Sequence, residues 1–312
     1  MEKKEKLHFS DNTVIIGSSG FIGTELTEIA RSQSENLEIP TLEEVDILDP
    51  EKISAFFDSH KVSICINLAA HTNLEEAERQ REDTNALAWQ LNVVGVQNLL
   101  QATKGRGIFL IQFSTDAVFP GNDSVPGPYA ENFVPADDLS PLSWYGYTKL
   151  KGEELIRSEE FAALVRISYP FGKPDSPRDF GARTLSYIKK GYALFNDQEF
   201  TPTYIPDIYK ILRTLSQLKE PGVYHIACSN LTTPYKFGQL LAEKLGITES
   251  VKSSSVREYM KSPQTVRRLI RGGLETKLTQ QQLQITFATW QENLDEYVRL
   301  HKEKLNSLFE SS

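Results

Sequence analysis

The sequence predicts an α/β fold: a doubly wound parallel sheet followed by a smaller C-terminal lobe. Three observations carry that prediction. Short apolar runs alternate with amphipathic stretches through the first 170 residues, a glycine-rich segment directly follows the first run, and the alternation loosens afterwards.

Taken in order, TVIIG (13–17) is an apolar run ending in glycine, and FIGTELTEIARS behind it is amphipathic. A second strand is read in LEIPT, ending at Thr41. VSICINLAA (62–70) is again strand-like, and residues 84–103 carry Leu87, Leu91, Val94 and Leu99 at helical spacing. GIFLIQFS (107–114) returns to strand, YGYTKLKGEELIRS (145–158) reads as helix and FAALVRIS (161–168) as strand. Buried strands alternating with helices imply βαβ units and a parallel sheet covered on both faces. Ligands of such sheets bind outside the carboxyl ends of the strands, so the loops that follow strands are the informative ones.

Beyond residue 170, Pro170, Gly172, Pro174 and Pro177 mark an irregular excursion. A strand-like GVYHIACS (222–229) and helical stretches at 233–246 and 284–305 come later. The expected division is a dinucleotide-binding domain over 1–170 and a substrate-binding lobe over 171–312. At least one strand of the lobe is expected to return to the main sheet.

Composition narrows the function classes. A chain of 312 residues with 39% hydrophobic and 24% charged residues can bury a large core. No apolar run approaches the roughly 20 residues that cross a bilayer. The charged start MEKKEKLHFS lacks the apolar stretch of a signal peptide, so a cytoplasmic protein without a membrane partner is expected. Cys65 and Cys228 are too few for a disulfide framework or a metal cluster and read as buried spectators. The net charge of -8 opposes nucleic-acid binding. Arg267, Arg268 and Arg271 form a short basic cluster, read as a solvated helix face or a small phosphate site.

Three segments carry chemistry. GSSGFIG places Gly17, Gly20 and Gly23 between a strand and a helix, where glycine permits a tight turn and close backbone approach to a pyrophosphate. The spacing is G-x-x-G-x-x-G, which a purely structural turn would also satisfy. Tyr145 and Lys149 lie four residues apart, on one face of a helix. A nearby ammonium stabilises phenolate, so the tyrosine pKa is expected to fall below its usual value of about 10, each unit being worth about 1.36 kcal/mol. That would suit proton exchange with an alcohol or carbonyl oxygen. Tyr147 and Lys151 share the spacing, and either pair also fits a solvated helix surface. FSTDAVF (113–119) puts Thr115 and Asp116 at a strand's carboxyl end, as a site or as a turn. His71 and His225 have no partner that the sequence identifies.

These signals together resemble the extended short-chain dehydrogenase/reductase family, which pairs a glycine-rich first turn with a Ser/Thr and a Tyr-x-x-x-Lys. Longer strings narrow the likeness. INLAAHTNLEEAE (66–78), FSTDAVFPGN (113–122), PLSWYGYTKLKGE (141–153), LVRISYPFG (164–172), NDQEFTPTY (196–204) and GVYHIA (222–227) are similar, in order, to the dTDP-4-dehydrorhamnose reductases of that family.

The resemblance implies a Rossmann-like NAD(P)-binding fold and transfer of hydride to C4 of a nucleotide-linked 4-keto-6-deoxyhexose. Tyr145 would donate the proton, Lys149 would hold the nicotinamide ribose, and Thr115 would hydrogen-bond the carbonyl. Gly17, Ser19, Gly20, Phe21, Ile22 and Gly23 would line the cofactor's pyrophosphate, Asp46 and Ile47 its adenine side, and Leu68, Ala69 and Ala70 the adjoining loop. Asp116, Tyr169, Gln198 and Arg268 would face the sugar, with Asp197 nearby. Asn92 matches a structural or proton-relay asparagine, or is a solvated helix residue. NAD and NADP remain equally open, because no acid closes the second strand and no arginine stands ready for a 2′-phosphate.

Departures concern the sugar side: Ala117 replaces a tyrosine, Tyr169 a tryptophan, and Arg268 lacks the proline that follows it in relatives. Ala117 also opposes a dehydratase, which needs a carboxylic acid there. An epimerase uses the same Thr, Tyr and Lys, and the regulatory β subunit of methionine adenosyltransferase resembles the same reductases. Homodimerisation is an open expectation. Some relatives dimerise through a metal, whose acidic ligands have no match here, so no metal site is expected.

Overall fold

The computed structural model describes residues 8–10, 12–262 and 265–310. Its strands are β1 (Thr13–Ile16), β2 (Leu37–Glu38), β3 (Ile64–Asn67), β4 (Phe109–Thr115), β5 (Ala162–Ile167), β6 (Leu194–Phe195), β7 (Gly222–Ile226) and β8 (Ser253–Ser254). β1, β3 and β4 are buried along their whole length, as continuous apolar runs require when helices cover both faces. The main sheet is six-stranded and parallel in the order β2-β1-β3-β4-β5-β7. The direction in which successive strands are added reverses between β1 and β3, and the crevice above that switch point is the place for a dinucleotide.

The helices are α1 (Phe21–Ser32), α2 (Pro50–His60), α3 (Leu74–Arg79), α4 (Leu87–Trp89), α5 (Gly95–Thr103), α6 (Trp144–Ile156), α7 (Phe180–Lys189), α8 (Ile205–Leu218), α9 (Pro234–Leu245), α10 (Val256–Tyr259), α11 (Lys277–Leu283) and α12 (Trp290–Glu310). On one face of the sheet, Leu26 and Ala30 of α1 pack with Ile208, Ile211, Leu212 and Leu215 of α8. On the other, Ile53, Phe56 and Phe57 of α2 pack with Val96, Leu99 and Leu100 of α5 and Ile156 of α6. Among the described residues no helix is long and apolar enough to cross a membrane.

A third core lies beyond the carboxyl end of β5. Phe171, Phe180, Phe237, Trp290 and Tyr297 join there, drawn from α7, α9, α12 and the loop after β5. β7 pairs with β5, and α8 packs on the sheet, so residues 205–226 group with the first-half core rather than with this lobe. β7 is thus a strand from the expected lobe that pairs into the main sheet. An exposed arginine helix is not what forms around residue 268. Residues 266–274 run without helix, bridged to Glu199 through Arg271 and to Tyr129 through Leu274, with Gly273 at φ +104°. Trp290 is core, and both cysteines are buried, as expected of the cysteines.

The stretch expected as one helix over 84–103 is interrupted. Gln90–Val94 form a wide π turn between α4 and α5, a local widening that often accompanies a site. The widening turns Asn92 inward. Its side chain is buried, not solvated, and clasps both backbone groups of His71 while donating to Thr148 Oγ1 at 3.0 Å. The later stretch expected from residue 284 becomes helical only at Trp290, because Gln284 takes a left-handed φ of +52° that ends α11.

Candidate active site

The glycine turn sits where β1 ends. Gly17 has φ +80°, and a Cβ there would lie 2.5 Å from the backbone nitrogen of Ala69, in the loop leaving β3. A Cβ on Gly23 would lie 2.5 Å from Gly17 O. Gly20 begins α1 with no side-chain cap, and its N–H donates to Gly17 O at 3.0 Å. Side chains at Gly17 and Gly23 would therefore fill a cradle of bare backbone facing the first turn of α1. This is the form a pyrophosphate needs, with uncapped helix N–H groups complementing its charge. Ser19 is exposed at the turn, while Phe21 and Ile22 are partly buried beneath it.

Across the switch point, Leu68 N donates to Ile16 O at 2.9 Å, and Ala69 N to Asn67 Oδ1 at 3.0 Å. Leu68, Ala69 and Ala70 are partly exposed beside the glycine turn. Asp46 is partly exposed and caps its own turn through Leu48 N. The Ile47 side chain is buried against Gly95, and its carbonyl accepts from Asn98, so only its backbone N–H remains to face a ligand.

Thr115, Tyr145 and Lys149 converge where β4 ends against the start of α6. The close approach depends on Gly146, because a Cβ there would lie 2.1 Å from Ala117 O. Gly152, one turn beyond Lys149, likewise admits Asn92 O, which a Cβ would meet at 2.3 Å. Both are helix-interior glycines, which cost about 0.5–1 kcal/mol each against alanine, so close packing explains their presence. Sequence reading missed them, although the small residue between two tyrosines in WYGYTK was the available signal.

Lys149 is buried, and its ammonium donates to Phe113 O at 2.8 Å. The same carbonyl accepts from Gln112 Nε2 at 2.8 Å, and Gln112 Oε1 accepts from Asn67 Nδ2. Burial pushes the Lys149 ammonium down to about 8, against a smaller upward pull from Glu153. The phenol of Tyr145 moves opposite to the sequence expectation. Burial raises it to about 12; a hydrogen bond with Thr115 pulls it down, and the Asp116 carboxylate pushes it up. The expected lowering by Lys149 does not appear: burial dominates, and the Lys149 ammonium is directed at Phe113 O. A phenol that keeps its proton is the state a proton donor needs.

Asp116 is buried, and its oxygens are taken by Ser168 Oγ at 2.6 Å and Thr115 Oγ1 at 3.2 Å. Desolvation raises its carboxyl to about 6 despite those bonds. Its geometry is that of a support for Thr115 and Ser168, whereas the sequence had suggested a direct contact with a sugar hydroxyl. Tyr169, just past β5, holds φ +43°, an uncommon conformation for an aromatic residue and a small store of backbone strain. Its hydroxyl accepts from Gln198 Nε2 at 2.8 Å, and its ring packs on Phe180 and Phe200. Arg268 reaches Glu75 Oε1 at 3.0 Å, tying the C-terminal segment to α3. Its charge also acts on Tyr169, so the two share one region. Asp197 binds Ser255 Oγ and Val256 N and fixes the start of α10.

The decoy pair separates cleanly. Tyr147 stacks on Trp144, and Lys151 is bound by Asp137 and Glu154 at the surface. His225 is fully buried between Arg166 and Glu275 O and is pushed down to about 3, mainly by burial, so it stays neutral. His71 faces Glu76 across 3.4 Å.

Lys149 yields a prediction about stability. Its folded pKa near 8 lies below the ordinary 10.5, so between those values the unfolded chain holds the extra proton and stability rises with pH. Below pH 8 the full burial penalty remains. Lys149→Met should therefore stabilise the protein at pH 7, by about 1–3 kcal/mol. Thermal melts should show a gain that shrinks toward pH 10.

The chain is 28% identical to dTDP-4-dehydrorhamnose reductase of Escherichia coli, over 96% of this chain and 98% of that protein. It is also 28% identical to methionine adenosyltransferase 2 subunit beta of Xenopus tropicalis, over 76% of this chain and 73% of that protein. A solved dTDP-4-dehydrorhamnose reductase ortholog from Clostridium acetobutylicum superposes with a TM-score of 0.78 at 27% identity, covering 93% of this chain and 99% of that one. The model of the RmlD substrate binding domain matches residues 11–302, and the chain belongs to that family.

Proposed function

We propose that this protein reduces the 4-keto group of a nucleotide-linked 6-deoxyhexose with NADH or NADPH, as its reductase relatives are named for doing. The observation that carries the reading is the convergence of Thr115, Tyr145 and Lys149 beside a glycine cradle at the sheet's switch point. When bound, the reduced nicotinamide supplies the hydride. Tyr145 donates its phenolic proton to the ketone oxygen, so carbon gains hydride, oxygen gains a proton and the phenolate is left. Thr115 turns its one hydroxyl proton from Asp116 to that oxygen and fixes it beside the phenol. Lys149 keeps one donor on Phe113 O and turns its remaining donors toward the nicotinamide ribose. Asp116, charged above about pH 6, holds Thr115 in place and keeps Tyr145 protonated. Tyr169, Gln198 and Arg268 line the sugar side, and Gly17, Gly20 and Gly23 the pyrophosphate side.

The test is direct. Purified protein with a dTDP-4-keto-6-deoxyhexose and reduced cofactor should oxidise the cofactor, read as loss of its near-ultraviolet absorbance, and yield the C4 alcohol. An epimerised ketone without net cofactor oxidation would favour the epimerase reading. No turnover of any nucleotide keto-sugar, with tight binding to another protein, would favour a regulatory subunit.

A further inference from the structure

The adenosine end of the cradle carries a charge pattern the reaction does not use. β2 runs beside β1 in parallel, with Thr13 opposite Leu37 and Val14 opposite Glu38. Continuing that register brings Thr41 level with Gly17. An acid at this end of the second strand takes a ribose 2′-hydroxyl, and an arginine takes a 2′-phosphate. Here Thr41 is followed by a tight turn, closed by Val45 N donating to Thr41 O at 3.0 Å. Glu44 folds back across it: Thr41 N donates to Glu44 Oε2 at 2.8 Å, and Thr41 Oγ1 lies 3.4 Å from Glu44 N. Those donors hold the exposed Glu44 carboxyl below its usual range, with His60 a minor contributor. From residue 32 to residue 51 the chain contains no Lys or Arg, but Glu38, Glu43, Glu44 and Asp46 all lie there. The glycine turn itself offers Ser18 and Ser19, with no cation.

We infer that the protein selects NADH over NADPH, and that Glu44, pinned by Thr41, is the residue that rejects a 2′-phosphate. The inference rests on the proposed function, since it presumes a nicotinamide dinucleotide in the cradle. A carboxylate held by the Thr41 N–H resists swinging away from a phosphate, and the segment from residue 32 to residue 51 holds no Lys or Arg to offset the repulsion. The same oxygens can accept from a free 2′-hydroxyl.

Fluorescence titration of NADH and NADPH against the purified chain tests this without turnover. The expected preference for NADH is roughly tenfold, the scale of a carboxylate facing a phosphate in water. It should shrink as salt is raised, because exposed charges are screened. Glu44→Gln should tighten NADPH several-fold with unchanged thermal stability, and Glu44→Arg should invert the preference. Equal or tighter NADPH binding by the native chain, or a ratio unmoved by Glu44→Arg, would overturn the inference alone. Failure to bind either dinucleotide would overturn the proposed function with it.

Discussion

Tyr145→Phe is expected to lower kcat by about 10²–10⁴-fold while dinucleotide binding stays within a few-fold of native. The substitution removes one oxygen and leaves the ring, which packs beside Trp144 and Leu139. Thr115 keeps its bonds to Asp116 and Ala117 N, so the oxygen-binding corner should survive. What disappears is the phenolic hydroxyl that hydrogen-bonds with Thr115. Steady-state turnover and a separate cofactor titration check the two halves. Native-like kcat in the phenylalanine variant would remove Tyr145 as proton donor. Loss of cofactor binding together with activity would mean the phenol is structural.

The second large effect is on stability. Arg166→Met should cost about 3–5 kcal/mol, because it strands a buried carboxylate. Arg166 and Glu153 are both inaccessible and form a two-pronged pair at 2.9 and 2.6 Å. The guanidinium also lies over the Phe119 ring at 4.8 Å and donates toward His225 Nε2 at 3.2 Å. Arg157 gives Glu153 one further partner, from a more exposed position. The pair therefore joins α6, β5 and β7. Denaturant melts of Arg166→Met, Glu153→Leu and the double variant form a cycle. The double variant is expected to lose clearly less than the sum of the singles, since it leaves neither member of the buried pair unpaired. Additive losses would show that the pair is not coupled.

How far the fold could be read depended on the range of the forces involved. β1, β3, β4 and β5 follow from short apolar runs, because a strand covered on both faces needs no partner-specific pattern. The glycine turn was legible for a similar reason: φ +80° at Gly17 and the tight approach to Ala69 exclude any side chain. α8 was not read, although its apolar face is regular. Nothing near it in the chain shows that Ile208, Leu212 and Leu215 meet Leu26 of α1. The π turn at Gln90–Val94 was hidden too, since its cause is the fit of Asn92 to His71, a contact 21 residues apart.

The site divides along the same line. Four-residue spacing put Tyr145 and Lys149 on one helical face, and helix geometry carries that inference without knowledge of the rest of the chain. Their protonation was misread. It depends on Phe113 O capturing the ammonium and on Thr115 and Asp116 facing the phenol, groups that reach α6 from β4. Asp116 shows the limit most clearly: its place after a strand was visible, but Ser168, 52 residues away, decides what its oxygens do.

Local order along the chain thus established the parallel α/β plan, the dinucleotide turn and the candidate tyrosine and lysine. Only the folded arrangement assigned β7 its place beside β5, the burial of Asn92, and which charges act on Tyr145. The physical reason is that periodicity and backbone sterics act over a few residues. Desolvation and hydrogen-bond capture depend on whatever neighbours the whole chain brings together.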